Sequence, residues 1–445
     1  MIKDKKKHNH NSNYGLTTIQ FLRKLDTMLS NFKNREIFNF IFSPDWLGNE
    51  MLFIAGPRQC GKTSLAKYVL DKKGTPSFYY NWDIIKVRKR YYAYSDFLSR
   101  DISKHPGSIP WVVFDEIHKL SNWKNILKST YDELQNQFHL IVTGSAKLDM
   151  FRKSGDSLIG RYVMVHLFPF SLNEWAGNIS KQGWLNESSD WKHMNESFTN
   201  KLTDTRIIPT DISESYFKFG PFPTPLISGS EKRSRKWHKD YISLLVREDL
   251  RDLSKISELD RVEHLVSLLP DRIGSTISYR SLGQDLDANH ATIKNWLKAL
   301  QQLYLVWPLH PFAGKRHRSL KKDSKWYFLD WTYASHESNQ FENMIATSLL
   351  RFVNNINDQG YPELALHFYR TYDKKEIDFV LCHDNKPIAA FEVKLKANKI
   401  PSQMHTFYND YKQSIPLVTV INDPGVLIKK ENGFIVGYDR LLSIL

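Results

Sequence analysis

The sequence predicts an α/β protein of several domains, and three observations carry that prediction. The apolar run Met51–Ala55 passes into a glycine loop, Gly56-Pro-Arg-Gln-Cys-Gly61, and then into a helical pattern from Lys62 to Leu70. A second short apolar run, Trp111-Val-Val-Phe, ends in the paired acids Asp115 and Glu116, as a buried parallel strand does at a ligand-binding edge. Near the C-terminus, Glu376-Ile-Asp378-Phe and Phe391-Glu392-Val-Lys394 alternate charged and apolar side chains with the period of a strand.

The first stretch satisfies Gly56-x-x-x-x-Gly61-Lys62-Thr63 between a strand and a helix, the setting a phosphate-binding loop requires. Gly56, Pro57, Arg58, Gln59, Cys60, Gly61, Lys62, Thr63 and Ser64 are the expected phosphate cradle, with the helix N-terminus adding partial positive charge. Lys62 is expected on the β- and γ-phosphates and the Thr63 hydroxyl on Mg²⁺. Asp115 is placed to hold the same Mg²⁺ through water, and Glu116 to orient and deprotonate the attacking water. The next strand, 138–145, carries Thr143 and Ser145 at its tip, either able to bond the γ-phosphate or that water. The cofactors expected are therefore ATP and Mg²⁺.

At 445 residues the chain exceeds one ordinary core. No window approaches the roughly 18 apolar residues of a membrane-spanning helix, so no membrane partner is expected. Basic residues at the N-terminus are followed by no apolar segment, and Cys60 and Cys382 make no disulfide framework, which together point to a cytoplasmic setting. The net charge of +14 favours a polyanionic partner, nucleic acid first. Three basic runs carry much of it, at 86–90, 232–236 and 315–322.

Several motifs occur together in order: Gly56-Pro-Arg-Gln-Cys-Gly-Lys-Thr, Asp115-Glu-Ile-His-Lys-Leu, Thr143-Gly-Ser, Gly160-Arg161, Leu167-Phe-Pro-Phe-Ser-Leu-Asn-Glu174 and Phe219-Gly-Pro-Phe-Pro223. With them the chain resembles the prokaryotic AAA-type ATPases that carry a C-terminal domain related to restriction endonucleases, over most of residues 45–445. The resemblance implies an AAA-type P-loop NTPase core and a role in phage defence or mobile-element biology. It also makes Arg161 the arginine that senses the γ-phosphate, with Arg247 competing for the role. An arginine acting across subunits would require a homo-oligomer.

The expected order begins with an N-terminal tail and helix (1–44) and the AAA-type domain (45–215), in which 176–212 reads as a polar insertion or loop. A helical connection (216–255), a winged helix (256–330) and a nuclease-like domain (331–445) follow. In the winged helix, Ile293, Trp296, Leu297, Leu300 and Leu303 form one apolar stripe, leaving Lys294, Asn295 and Lys298 outward. Those three, with Lys315, Arg316 and Arg318 of the wing, are the expected DNA contacts. The C-terminal pattern is that of a PD-(D/E)xK core. Asp378, Glu392 and Glu342 would ligate Mg²⁺ or Mn²⁺, and Lys394 would steady the nucleophile or the developing charge. Two readings follow: an ATPase that engages and cuts DNA, or a nucleotide-driven switch whose C-terminal domain docks DNA or a protein partner without cutting.

Overall fold

The computed structural model describes residues 35–42, 46–144, 158–178, 191–204, 208–251, 256–312, 324–360, 363–371, 375–411, 415–431 and 433–445. Its first core is a wholly parallel sheet of β1 (Met51–Ala55), β2 (Tyr79–Asn81), β3 (Trp111–Asp115), β4 (His139–Thr143) and β5 (Tyr162–His166), in the order β2-β3-β4-β1-β5. Strands β1 and β3 are buried along their whole length, with apolar clusters on both faces, which is why they read as unbroken hydrophobic runs. Since all five strands point the same way, the residues after β1, β3 and β4 meet at one edge. The register sets Asn81 beside Asp115 and Asp115 beside Thr143, lining up three polar strand tips. Helix Lys62–Lys72 starts from this edge. Gly56 lets the loop leave β1 there: its φ is +147°, and a Cβ would lie 2.2 Å from the Leu167 carbonyl oxygen.

The connection is a series of helices, Thr210–Phe219, Pro223–Ser228 and Glu231–Leu244, extended by a π-helical stretch at Leu245–Leu250. Three more helices follow, Leu259–Leu268, Tyr279–Asp285 and His290–Gln302, then the antiparallel pair β6 (Val306–Pro311) and β7 (Lys325–Phe328). In helix His290–Gln302 the expected stripe is buried, and Lys294, Asn295 and Lys298 are exposed.

The second sheet has eight strands. To β6 and β7 it adds β8 (Leu364–Arg370), β9 (Glu376–His383), β10 (Lys386–Lys394), β11 (Leu417–Ile421), β12 (Leu427–Lys430) and β13 (Gly433–Gly437), in the order β12-β13-β11-β10-β9-β8-β6-β7. Its strand β6 pairs in parallel with β8 at His310 opposite His367. The hairpin expected to end a separate domain at 330 is therefore an edge of the C-terminal sheet, and one apolar cluster runs from Phe168 to Leu445. A pairing between residues this far apart leaves no local signature in the sequence. Part of the expected polar loop is also ordered: Trp191–Asp204 is a helix, with Phe198 and Leu202 buried in that cluster and Phe198 set edge-on to Phe391.

Helix Glu337–Asp358 joins the two sheets. Its Arg351 bonds Glu36 at 2.9 and 3.2 Å and lies 3.8 Å from Glu174, while Arg35 bonds Glu174 at 2.9 Å. At its C-terminal end Asp358 meets the His166 ring of β5 at 3.0 Å.

Candidate functional site

Asp115 is the hub of the edge built by the first sheet. It is buried, and it accepts hydrogen bonds from Thr63 Oγ1 at 2.8 Å, Tyr79 OH at 2.5 Å and Asn81 Nδ2 at 3.5 Å, all on Oδ2. The Thr143 hydroxyl donates to Oδ1. Four donors fix the carboxylate in one orientation beside the loop helix. Burial and then Asp115 itself push the Tyr79 phenol well above its ordinary range, so it stays a donor. Thr143 thus sits at the strand tip as expected, whereas Ser145 lies outside the described residues.

Glu116 follows in the left-handed conformation (φ 59°), held by its N–H on the Thr143 carbonyl at 3.0 Å. Burial raises its pKa, opposed by the Lys62 ammonium, the direction that makes a carboxylate a better base. His118 Nε2 stands 3.3 Å from its Oε2. The Lys62 ammonium is buried across the loop, donating to the carbonyls of Gly56 at 3.0 Å and Pro57 at 2.6 Å. No side chain caps helix Lys62–Lys72 at Gly61, so its first-turn N–H groups are left for an anion.

Several residues that hold this loop went unread in the sequence. Arg35 donates to the Cys60 carbonyl at 3.2 Å, and Cys60 Sγ to the Leu167 carbonyl at 3.1 Å. Gln59, also left-handed, accepts Trp237 Nε1 at 2.6 Å, and Arg58 pairs with Asp249 at 2.5 Å. Tyr241 OH donates to the Arg58 carbonyl at 3.3 Å and stacks on Trp237. Tyr79 and Asn81 had a readable signal, since residues two apart on a strand point to one face. The others depend on long-range packing.

Arg161 is not brought to this edge. Its carbonyl accepts the Met51 N–H, and Met51 pairs with Tyr162, so it precedes the strands at the end of the sheet away from the loop. There its guanidinium bonds Asp132 at 2.7 and 3.1 Å. Five residues of extended strand, roughly 16 Å, separate the two ends, so Arg161 cannot reach a phosphate bound by its own chain. Arg247 is engaged by Asp260 at 2.9 Å and Glu263 at 2.5 Å. Lys315, Arg316 and Arg318 lie outside the described residues.

A second cluster forms where β7, β9, β10 and helix Glu337–Asp358 meet. Glu342, Asp378 and Glu392 lie there, and buried Lys325 stands among them. Its ammonium is 3.6 Å from Glu342 and 3.8 Å from Asp378 and forms an ion pair with Glu376. Glu342 accepts Tyr327 OH at 2.8 Å, and Asp378 Oδ2 accepts the Val393 N–H at 2.8 Å. Glu392 Oε1 takes Lys394 at 2.8 Å and Gln403 at 2.9 Å, while its buried Oε2 has no hydrogen-bond partner among the described residues. Burial, with Asp378 adding to it, lifts Glu342 and Glu392 each to about 7. Against the burial that disfavours its charge, Glu342, Asp378 and Glu376 hold the Lys325 ammonium above the usual lysine range. Among the described residues no three Asp, Glu, His or Cys side chains are gathered closely enough to enclose a metal ion. The donors present do not fit the expected Mg²⁺ or Mn²⁺, because the space between Glu342 and Asp378 belongs to a lysine.

Comparison with known proteins bears on the first site. The family model described as an AAA domain matches residues 48–176, the stretch holding the phosphate loop, Asp115 and Glu116. Residues 48–176 form an AAA-type P-loop domain. Two models described as domains of unknown function, DUF8612 and DUF4143, match 210–342 and 338–436. Two uncharacterized proteins of Methanocaldococcus jannaschii are 22% and 23% identical, over 62% and 63% of this chain and 59% and 60% of their own length. The chain thus spans about three fifths of those relatives. An uncharacterized protein of Haemophilus influenzae is 22% identical over 81% of this chain and 87% of its own. Among solved structures, a signal transduction ATPase with a tetratricopeptide repeat sensor from Pyrococcus horikoshii aligns at 13% identity and TM-score 0.28, covering 73% of this chain and 47% of that one. AMPPCP-bound DnaA from Aquifex aeolicus aligns at 12% and 0.22, covering 57% and 82%. No described helix is long and apolar enough to cross a membrane.

An AAA domain binds nucleotide, usually with Mg²⁺, and the Thr63 hydroxyl and Asp115 carboxylate, side by side at this edge, are hard oxygen donors of the kind that would hold that ion. Glu116→Gln in the AAA domain keeps the side chain's size while removing the base. ATP hydrolysis is expected to fall by roughly 10²–10⁴-fold with ATP affinity retained, which steady-state phosphate release and equilibrium binding will measure. Loss of affinity with hydrolysis per bound ATP unchanged would assign Glu116 to binding.

The C-terminal cluster makes a separate prediction. Carboxyls lifted to about 7 in the folded chain bind more protons folded than unfolded between their ordinary pKa and that value. Their contribution to stability is therefore present at low pH and lost as pH rises through about 7. Glu392→Gln should flatten the decline in melting temperature across that window. An unchanged slope would show that Glu392 titrates normally.

Proposed function

We propose that the chain is an ATP-hydrolysing switch that changes its hold on DNA with the state of the bound nucleotide. The observation that carries this reading is the grip on the phosphate loop from outside the AAA domain. Arg58 and Gln59 lie inside the loop, yet their partners Asp249 and Trp237 lie on the helices leading to the C-terminal half. A nucleotide entering the cradle would have to displace or tighten those contacts. Lys62 and the loop N–H groups would bind the phosphates, Thr63 and Asp115 would hold Mg²⁺, and Glu116 would orient and deprotonate water while Thr143 keeps Asp115 aligned. Mg²⁺ would supply neutralisation of the developing phosphate charge.

DNA is the partner this reading favours, because the basic balance of the whole chain is matched by an outward face of Lys294, Asn295 and Lys298 on helix His290–Gln302. Three helices followed by the β6–β7 hairpin support a winged-helix reading of this segment, in which that face would meet the duplex. The non-cutting alternative is favoured over cleavage by one observation, Lys325 between Glu342 and Asp378. In that alternative the domain built on the eight-stranded sheet keeps a nuclease-like layout as a docking module for DNA or a protein.

The test is binding of labelled duplex DNA as a function of salt. Lys294→Glu with Lys298→Glu should weaken binding and reduce the slope of log K against log salt by about 2, one for each phosphate no longer neutralised. ATP turnover by the wild type should rise when DNA is added. Turnover indifferent to DNA, with binding unaltered in the double variant, would replace DNA by a protein partner.

A further inference from the structure

We infer that Lys325 is the resident cation of the C-terminal carboxylate cluster, so that this domain takes no divalent ion there. Its support is the geometry of β7 and its neighbours, independent of the ATPase reading.

Lys325 is held from several directions. Its backbone pairs with Leu309 across the hairpin and bridges to Thr276, and its ammonium lies 5.7 Å over the Phe368 ring. Only 3% of its surface is exposed. An internal ammonium does there what a metal would otherwise do, offsetting the mutual repulsion of Glu342, Glu376 and Asp378.

The oxygens are accordingly committed. Glu342 Oε1 serves Tyr327 and Lys325, and Asp378 Oδ1 faces the ammonium while Oδ2 is tied to the backbone of β10. Glu392 Oε1 turns to Lys394 and Gln403, leaving Glu392 Oε2 as the one buried carboxylate oxygen of the cluster without a partner among the described residues. A hard divalent cation takes about six oxygens at 2.0–2.6 Å. Here it would have to displace an ammonium already shared among Glu342, Glu376 and Asp378.

Trp326 and Tyr327 beside the cluster are antennae for terbium luminescence, so the test is a Tb³⁺ titration of the full chain without nucleotide. Wild type and Asp378→Asn should show the same weak surface emission. Lys325→Met, which keeps the length and removes the charge, should gain saturable emission that a second change, Asp378→Asn, removes. Its melting temperature should rise with added Mn²⁺, whereas that of the wild type should not. Saturable emission from wild type that Asp378→Asn abolishes would overturn the inference, as would Mn²⁺-dependent plasmid nicking lost in that variant. A folded Lys325→Met that gains no emission would count against it equally. Should Lys325→Met not fold, the comparison of wild type with Asp378→Asn decides alone.

Discussion

Four charged side chains, three of them buried, tie the phosphate loop to the rest of the molecule. Arg35 reaches the Cys60 carbonyl inside the loop and Glu174 beyond β5, and Arg351 closes the set against Glu36 and Glu174. Buried ion pairs of this kind add little net stability, because the desolvation of each charge offsets the attraction. What they impose is alignment, since a displaced member would be left charged and unpaired in an apolar setting. Arg351 lies on helix Glu337–Asp358, which carries Glu342 toward one end and Asp358 at the other. At 1.5 Å per residue those two are about 24 Å apart along one helix, which runs from the contacts behind the loop to the C-terminal cluster.

The two acidic sites differ in what fills the space before the carboxylate. At Asp115 the neighbours are hydroxyls and an amide, neutral donors that orient an oxygen and can share it with a hydrated ion. At Asp378 the neighbour is a buried ammonium. Sequence order alone treats both as acids at strand positions. The difference in chemistry comes from β7, a strand from the hairpin more than fifty residues before Asp378.

The phosphate-loop edge was legible because its residues follow one another locally: strand, loop and helix, then an acid pair at the end of an apolar run. Period-two alternation likewise put Asp378 and Glu392 together, since cross-strand neighbours on a hairpin are nearly local in sequence. Lys325 was invisible for the opposite reason, as only the pairing of β6 with β8 brings it to the acids. The place of Arg161 was not legible because a motif shared with a family carries no information about which end of its strand faces the site of its own chain. The helix at Trp191–Asp204 was hidden by its polar composition, with Phe198 and Leu202 too few to set a period.

The central claim is that nucleotide in the AAA domain is felt by the C-terminal half through the loop's external partners. Hydrogen exchange of the full chain, with and without a slowly hydrolysed ATP analogue and Mg²⁺, tests it most directly. Protection at 56–63 is expected together with altered exchange in helix Glu231–Leu244 and in helix Glu337–Asp358. Protection at the loop with no change outside 48–176 would contradict it.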